Sequence, residues 1–286
     1  MNYRHIYHAG NFADVVKQVV LARTIEYLKR KPGAFRVIDT HAGIGVYDLS
    51  SPEAQKTGEW HGGIGKLLDA AFPAEVAALL APYLGAVRAA NLNGGLKSYP
   101  GSPAIARHLL RPQDRLTAIE LHPADARRLK ERFAGDYQAR IIELDGWLAL
   151  SAYLPPKEKR GLVIVDPPFE KEGEFERIAD GLIKAHKRWP GGTYLLWYPI
   201  KNRRAVAGFR ETLRKAGIPK VLDIAFSIRA AGVTESFDGT GMIAVNPPYP
   251  LENELGVILP ELCGLLGEAP DASFSLEWLA GEHVPS

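Results

Sequence analysis

The sequence predicts an α/β protein built on a doubly wound sheet of seven strands, the last of them antiparallel, with a small helical subdomain inserted. Two patterns predict this fold class. From Ser102 onward, short apolar runs typical of buried strands alternate with helical patterns. Residues 52–98, in contrast, contain no convincing strand. Regular alternation of strands and helices is typical of a mostly parallel sheet that helices cover on both faces.

The chain begins with a helix and a strand that leads into a glycine loop. Apolar residues recur at three- and four-residue spacing over residues 12–28, with Lys17 among the polar positions between them. This spacing predicts an amphipathic helix, and Asn11 is a suitable residue to start it. Residues 35–39 then form a short buried strand, and the glycine loop at 40–45 follows directly.

The next segment is helical throughout. Its Ala- and Leu-rich patterns are interrupted by two glycine pairs, at 62–63 and 94–95. We therefore divide the chain into three parts: the N-terminal arm with the first helix, strand and glycine loop (1–48), an inserted helical subdomain (49–98), and the remainder of the core (99–286).

After the insertion, helices and strands alternate regularly. Ser102 is predicted to cap a helix with Pro103 at its first position, because these residue types are favoured there. The later elements are strands at 116–120, 139–144, 162–165, 193–198, 221–228 and 242–245, and helices at 123–133, 174–188 and 203–216. A glycine-rich turn without a helix precedes the last strand, so this strand should run antiparallel to its predecessor. Residues 250–286 show helical and loop character only.

Acidic residues terminate four of the predicted strands: Asp39, Glu120, Asp145 and Asp166. In an open α/β sheet, ligands bind beyond the carboxyl ends of the strands. Each carboxylate alone could be a helix N-cap, but four at one edge would be costly to bury unless something binds there. The four together predict a binding site.

The glycine loop favours S-adenosylmethionine over a dinucleotide. The sequence lacks the third glycine of the pyrophosphate fingerprint. Asp39, before the loop, would repel a pyrophosphate but suits a ligand with a sulfonium or ammonium group. In this interpretation Gly43 lets the backbone approach the methionine moiety, and Glu120 holds the ribose hydroxyls. Asp145 or Gly146 would hold the adenine amine.

The tetrad Asp166-Pro167-Pro168-Phe169 directly follows a hydrophobic strand and indicates methylation at an amine nitrogen. The lone pair of an exocyclic amine is delocalised into the base, so the amine attacks a methyl sulfonium poorly until acceptors hold its hydrogens. A carboxylate and a proline-fixed carbonyl can accept them. Phe169 can stack on the base, which is worth roughly 1–3 kcal/mol. A strand that merely ends in a Pro-Pro turn is the structural alternative.

A second tetrad, Asn246-Pro247-Pro248-Tyr249, has the same form. If it were the catalytic loop, further strands should follow it, and none is predicted there. We therefore assign catalysis to Asp166, Pro167 and Phe169, and interpret the later copy as a structural strand end.

Short motifs spread along the chain carry a resemblance to a known family. They are Tyr3-Arg4-His5, His8-Ala9-Gly10-Asn11 with Ala13-Asp14-Val15, Asp39-Thr40-His41-Ala42-Gly43, Tyr99-Pro100-Gly101-Ser102-Pro103, Glu120-Leu121-His122-Pro123, Asp145-Gly146, the Asp166 tetrad, Leu196-Trp197-Tyr198-Pro199 and Gly241-Met242-Ile243. With them the chain resembles, over its full length, the bacterial 23S ribosomal RNA adenine-N6 methyltransferases of the RlmJ type.

The resemblance implies a Rossmann-like class I fold that uses S-adenosylmethionine, with an inserted helical subdomain. It implies catalysis by Asp166 and cofactor contacts at Gln18, His41, Ser102, Glu120, Asp145, Gly146 and Asp166. Tyr3, His5 and Lys17 would lie near the substrate. Two positions depart from the family pattern: Gln18 stands where His is expected, and Phe169 replaces the more usual Tyr. Both substitutions permit the same roles.

The resemblance also implies the partner: 23S ribosomal RNA, naked or partly assembled, with no obligate protein partner and no membrane. Other amine methyltransferases use a similar tetrad, so DNA adenine N6, RNA guanine N2 and a protein glutamine amide are alternative targets. A nucleotide-binding oxidoreductase and a non-catalytic RNA-binding module are rivals from other classes. His8 and His41 have no third ligand at metal spacing, so no metal is expected.

Composition and charge favour a cytoplasmic protein. The chain opens without the apolar block of a signal peptide, and its single cysteine, Cys263, excludes an internal disulfide. The net charge of +2 hides an asymmetry: residues 1–36 carry +5, residues 201–220 hold seven Lys or Arg against one acid, and residues 251–286 carry −7. We expect the basic N-terminal segment and the cluster Lys201, Arg203 and Arg204, at the start of the second basic segment, to flank the site and contact phosphates.

Overall fold

The computed structural model describes residues 4–230 and 237–282 of the 286-residue chain. The strands are β1 (Arg36–Asp39), β2 (Val46–Asp48), β3 (Ser98–Pro100), β4 (Arg115–Glu120), β5 (Ala139–Glu143), β6 (Gly161–Val165), β7 (Thr193–Ile200), β8 (Val221–Ser227), β9 (Gly239–Val245) and β10 (Ser273–Ala280). The α-helices are α1 (Phe12–Lys29), α2 (Pro52–Thr57), α3 (Lys66–Asp69), α4 (Ala74–Ala89), α5 (Ser102–Leu109), α6 (Pro123–Arg132), α7 (Gly146–Ala152), α8 (Glu174–Arg188), α9 (Arg203–Lys215) and α10 (Leu251–Leu266).

Eight strands form the main sheet, in the order β10-β8-β9-β7-β6-β1-β4-β5. Pairing is parallel from β7 through β6, β1 and β4 to β5, whereas β9 runs antiparallel to both β7 and β8. The predicted fold class and the predicted reversal of β9 are confirmed. The strand number is corrected from seven to eight, because β10 pairs antiparallel with β8 in a region predicted to hold only helices and loops.

Helices cover both faces of this sheet. Apolar side chains of α1, α4, α5 and α10 form one buried cluster with it, and those of α7, α8 and α9 form a second cluster on the opposite face. Within the described residues, no helix is long and apolar enough to cross a membrane. The loops at the carboxyl ends of the parallel strands are left to form a site.

The first helix, α1, is buried on nearly all sides. Its start is as predicted, since the side chain of Asn11 accepts a hydrogen bond from the backbone N–H of Asp14. The prediction that it is amphipathic is wrong, because Lys17 and Arg23 are buried like the apolar residues around them. The cause is tertiary: α4, α5 and α10 all pack against α1 in addition to the sheet.

The predicted capping role of Ser102 is also wrong. Ser102 is the first residue of α5, and Gly101 is the N-cap. The hydroxyl of Ser102 instead donates a hydrogen bond to Asp39 Oδ2 at 2.6 Å. This bond ties the start of α5 to the end of β1.

The inserted helices α2, α3 and α4 lie between two short strands that were not predicted. β2 and β3 pair antiparallel, with Val46 opposite Pro100 and Asp48 opposite Ser98, so the chain leaves and returns at one point. Leu80 of α4 joins the same apolar cluster as α1. The insertion therefore completes the cover of one face of the sheet. Because β2 and β3 lie side by side where the chain leaves and returns, we propose that residues 49–98 are the inserted subdomain.

Candidate active site

A cavity of about 590 Å³ lies at the carboxyl edge of the parallel strands, where ligands bind in open α/β sheets. The loops after β1, β4, β5 and β6, the second turn of α1, β2 and residues 4–6 of the N-terminal arm line it. The predicted site residues that line it are His5, Lys17, Gln18, His41, Gly43, Ser102, Glu120, Asp145, Gly146, Asp166 and Pro167. Phe169 does not line it, and Tyr3 lies outside the described residues.

Asp166, at the end of β6, is held by Lys17. The ammonium nitrogen of Lys17 lies 2.5 Å from Asp166 Oδ2 and 2.7 Å from Asp14 Oδ1. Burial alone would lower the pKa of Lys17, but the two carboxylates outweigh it and hold the pKa well above its ordinary value. Oδ1 of Asp166 accepts no hydrogen bond from the described residues. One oxygen of the carboxylate is therefore fixed and the other is available to a ligand.

Asp39 and His41 shape the loop after β1. Asp39 is fully buried, does not line the cavity, and accepts hydrogen bonds from the Ser102 hydroxyl and the His41 backbone N–H. Burial raises the pKa of Asp39 to about 7 in spite of these bonds. Burial lowers the pKa of His41 to about 4, so this ring is neutral at pH 7. The structure therefore does not support Asp39 as a direct partner of a cationic ligand.

Glu120, at the end of β4, organises two of the loops around the cavity. Its Oε2 accepts a hydrogen bond from the backbone N–H of Gly43, and its Oε1 accepts one from the backbone N–H of His122, both at 2.8 Å. Burial raises the pKa of Glu120 even so. Gly43 has a φ of +61°, and a Cβ there would overlap the hydroxyl of Tyr47. The glycine is thus required by both conformation and space.

The loop after β5 combines an acceptor with an aromatic wall. Asp145 caps α7 by accepting a hydrogen bond from the backbone N–H of Trp147 at 2.8 Å. A Cβ at Gly146 would overlap the carbonyl oxygen of Thr40, so the start of α7 packs closely on the loop after β1. Arg177 of α8 lies 3.5 Å from Asp145 Oδ2 and over the Trp147 ring. An aromatic ring beside a carboxylate is a combination that can hold an adenine.

Gln18 carries an unsatisfied polar atom beside the cavity. The side chain is 1% exposed, and its oxygen has no hydrogen-bond partner. Buried polar side-chain atoms are paired in the large majority of cases. An unpaired amide oxygen on a residue that lines a cavity therefore indicates that a ligand completes the site.

Phe169 packs behind the cavity. Its ring lies edge-on to Phe175 and Trp197, with centroids 5.0 and 5.7 Å away. Pro167 and Pro168, the residues before it, do line the cavity. In this arrangement the Phe169 ring is not presented to a ligand, so the predicted stacking on a base would require the tetrad loop to turn.

The second tetrad lies at the other edge of the sheet. Because β9 runs antiparallel to β7, its carboxyl end points away from the cavity. Asn246 donates hydrogen bonds from Nδ2 to the carbonyl oxygens of Pro190 and Gly192, at 2.7 and 2.8 Å. These bonds tie the end of β9 to the turn before β7, which is a structural task.

The N-terminal arm is fastened to both α1 and the inserted helices. His5 Nε2 lies 2.9 Å from Asp14 Oδ2. His8 and Asn11 contact the two carboxylate oxygens of Glu59, each at 2.9 Å. These contacts keep His5 at the wall of the cavity.

Basic side chains border the same edge of the sheet. Lys201, Arg203 and Arg204 follow β7 directly and are exposed, while Arg4 and Lys171 line the cavity. Exposed cations around a cavity can bind the phosphates of a polyanion. The position of Lys201, Arg203 and Arg204 agrees with the expectation for the second basic segment. Of the Lys and Arg side chains in the first segment, only Arg4 and Lys17 line the cavity, and Arg36 begins β1 at the opposite edge of the sheet.

Sequence reasoning missed Asp14, Trp147 and Arg177. Asp14 could have been found, because it lies three residues before Lys17 on the same helix, where side chains are neighbours. Arg177 could have been noticed in the first turn of the helix that follows the tetrad. The contacts of Trp147 depend on how α7 and α8 pack, which no local pattern shows. Among residues 4–230 and 237–282, no group of three His, Cys, Asp or Glu side chains could hold a metal ion.

The sheet order and the site together define a class of protein. Five parallel strands, a reversed strand beside them, and an acidic cavity at their carboxyl edge that includes an Asp-Pro-Pro-Phe loop are the features of a Rossmann-like methyltransferase. A family model described as "Ribosomal RNA large subunit methyltransferase D, RlmJ" matches residues 32–280. The chain belongs to this RlmJ family.

Individual relatives match over nearly the whole chain. It is 39% identical to the "Ribosomal RNA large subunit methyltransferase J" of Escherichia coli (strain K12), with 99% of this chain and 100% of that protein covered. It is 38% identical to the protein of the same name from Haemophilus influenzae, at the same coverage. A crystal structure of a Legionella pneumophila protein matches with a TM-score of 0.86 and 33% identity, covering 94% of this chain and 98% of that one.

Proposed function

We propose that this protein transfers a methyl group from S-adenosylmethionine to the exocyclic N6 amine of an adenine in 23S ribosomal RNA. One observation carries the proposal: Asp166 stands at the cavity with one carboxylate oxygen fixed by Lys17 and the other free to accept a hydrogen bond. Membership of the RlmJ family supports ribosomal RNA as the substrate, because the relatives are named for it.

The residues around the cavity fit S-adenosylmethionine. The side-chain oxygen of Gln18 has no hydrogen-bond donor and can accept one from a ligand. Gly43 and Gly146 lie where a side chain would overlap neighbouring atoms, so the backbone there is close to the cavity wall. Gln18 and Gly43 would hold the methionine end, with His41 and Ser102 beside them. Glu120 would hold the ribose, and Asp145 and Gly146 the adenine. When bound, the cofactor supplies an electrophilic methyl group on a sulfonium.

The chain's own part in the reaction is to prepare the amine. Asp166 Oδ1 and the backbone carbonyl of Pro167 accept hydrogen bonds from its two N–H groups, which localises the lone pair on nitrogen. The proton that the nitrogen loses on methylation passes to Asp166. Lys17 orients Asp166 for this task. Because the adenine must leave its stack to reach Asp166, a single-stranded or looped site should react faster than a paired one.

Other amines would meet the same acceptors. DNA adenine N6, RNA guanine N2 and a protein glutamine amide each present N–H groups that a carboxylate and a carbonyl can hold. Family membership favours RNA. The exposed Lys201, Arg203 and Arg204, which follow β7 at the carboxyl edge of the sheet, favour a polyanion over a protein amide. We propose naked or partly assembled 23S RNA as the form that is bound, without an obligate protein partner.

The two tetrads provide a matched test. Asp166→Ala should abolish methyl transfer and leave the fold intact, since Lys17 keeps Asp14 as a partner. Asn246→Ala should leave turnover close to that of the wild type, although it removes two hydrogen bonds far from the cavity. Turnover, cofactor affinity and melting temperature are measured for both variants. Transfer by Asp166→Ala at more than a small fraction of the wild-type rate would contradict the assignment.

A further inference from the structure

We infer that Asp14 is a positioning residue for methyl transfer: its carboxylate holds the Lys17 ammonium in place against Asp166 and fastens the N-terminal arm at the cavity. The inference rests on the proposed function, in which Asp166 prepares the target amine. Asp14 itself does not line the cavity, so its effect on the reaction passes through Lys17 and His5.

Three donors converge on the Asp14 carboxylate. Oδ1 lies 2.7 Å from Lys17 Nζ, while Oδ2 accepts hydrogen bonds from the backbone N–H of Gly10 at 2.8 Å and from His5 at 2.9 Å. The side chain is 2% exposed. The residue itself is fixed, because its own N–H donates to the side chain of Asn11 at the start of α1. Asp14 is thus a rigid point that connects helix, arm and ammonium.

The shared ammonium explains how Asp14 would act on Asp166. Lys17 bridges two carboxylates, and its side chain is only 4% exposed, so water does not compete for it. With Asp14 on one side, Lys17 stays on Oδ2 of Asp166 and leaves Oδ1 open. Without the Asp14 charge, Asp166 would be the only carboxylate bonded to the ammonium. Lys17 could then shift across both oxygens of Asp166 and weaken it as an acceptor.

The arm gives Asp14 a second effect at the same place. His5 lines the cavity, and its side chain hydrogen-bonds to Asp14. The Gly10 N–H bond to Asp14 holds the point where the arm joins α1, and the carbonyl of Gly10 accepts from Ile64 of the insertion. Loss of the Asp14 charge would therefore loosen one wall of the cavity together with Lys17.

The test is Asp14→Asn, which keeps the shape and removes the charge. A displacement of about 1 Å at a reacting group can cost on the order of 10²-fold in rate, so we expect kcat to fall by about 10- to 100-fold. The KM and dissociation constant for S-adenosylmethionine should change by less than about threefold, because the Asp14 carboxylate bonds to Gly10, His5 and Lys17, none of which is assigned to the cofactor. Loss of a merely structural residue would not lower kcat while leaving the KM and dissociation constant for S-adenosylmethionine nearly unchanged.

Asp223→Asn is the matched control. Asp223 is also a buried carboxylate shared by two donors, Arg210 and Tyr198, but it lies in β8 and does not line the cavity. It should lower the melting temperature and leave kcat per folded molecule unchanged. If Asp14→Asn does not fold, Asp14→Ser replaces it, since a hydroxyl can still accept from Gly10. If neither variant folds, the role is structural and the inference is wrong.

The outcomes separate this inference from the proposed function. If the wild type does not methylate RNA adenine, the proposed function fails and the inference falls with it. If the wild type does so, Asp166→Ala does not, and Asp14→Asn keeps the wild-type kcat, only the inference is overturned. A drop in kcat no larger than that of Asp223→Asn would overturn it as well.

Discussion

Removal of Lys17 should destabilise the fold in a manner that depends on pH. In Lys17→Met, the buried carboxylate of Asp14 and the partly buried carboxylate of Asp166 lose their shared ammonium, whose nitrogen lies 2.7 and 2.5 Å from them. Breaking a buried ion pair by removing one partner costs about 3–5 kcal/mol. For a chain of this size that loss corresponds to a fall in melting temperature of roughly 6–20 °C.

The sign of the pH dependence follows from the two partners. Burial would raise the pKa of Asp14, but His5 and Lys17 outweigh burial and hold this pKa well below its ordinary value. The ionised Asp14 therefore stabilises the fold above that ordinary value, and this stabilisation is lost in acid. The pKa of Lys17 is raised, so its stabilisation is present below its ordinary value and is lost at high pH. The variant's deficit in the free energy of unfolding should therefore be largest between about pH 4 and pH 10 and shrink as the pH falls below about 4.

Urea unfolding of both proteins at a series of pH values measures this deficit. Arg210→Met is the control, since it breaks the pair with Asp223 away from the cavity and should be destabilising with turnover retained. A Lys17→Met protein as stable as the wild type at pH 8, or a deficit that grows toward pH 4, would refute the reasoning.

Three further perturbations test other parts of the site. Gly146→Ala should weaken S-adenosylmethionine binding, measured by calorimetry, and cost about 1–3 kcal/mol of stability, measured by unfolding, because its Cβ would overlap the backbone at the end of β1. The control is Gly208→Ala, where a Cβ meets open space, and it should change neither quantity. Since burial raises the pKa of Asp39 from an ordinary value near 4 to about 7, the free energy of unfolding should fall as the pH rises from about 4 to about 7, and Asp39→Asn should flatten that part of the stability profile. An unchanged profile would argue against this raised pKa. Arg203→Ala with Arg204→Ala should weaken RNA binding and shallow its salt dependence by about 0.7 per lost phosphate contact in a log–log plot; unaltered affinity and slope would exclude these residues from RNA binding.

The parallel core of the fold was predictable because local pattern and tertiary environment agree there. β6 and its neighbours are buried on both faces, so they read as apolar runs with polar ends. β10 was missed although Phe274, Leu276 and Trp278 alternate with polar residues, because an exposed edge strand lacks such a run. For α1 the sequence pattern predicted an exposed polar face, and this was wrong because helices that are distant in sequence bury its polar residues.

The part of the candidate site that was predictable from sequence consists of residues that directly end or follow a recognisable strand. The carboxyl ends of β4, β5 and β6 bring Glu120, Asp145 and Asp166 to one cavity. The sequence argument against the second tetrad, that no strand follows it, was wrong, since β10 follows Asn246. The reversal of β9 supplies a different argument, because it directs the second tetrad away from the cavity. The burial of Asp39 was not predictable, because it depends on the packing of α5 over β1.

The most direct measurement is mass spectrometry of the nucleosides in 23S ribosomal RNA after incubation with the purified protein and S-adenosylmethionine. Naked RNA, partly assembled particles and complete large subunits are compared, with Asp166→Ala in parallel. The wild type should add N6-methyladenosine at a single site in naked or partly assembled RNA, and Asp166→Ala should add none. Methylation of guanine N2 instead, no methylation of RNA in any of the three forms, or N6-methyladenosine formed equally by Asp166→Ala would contradict the proposed function.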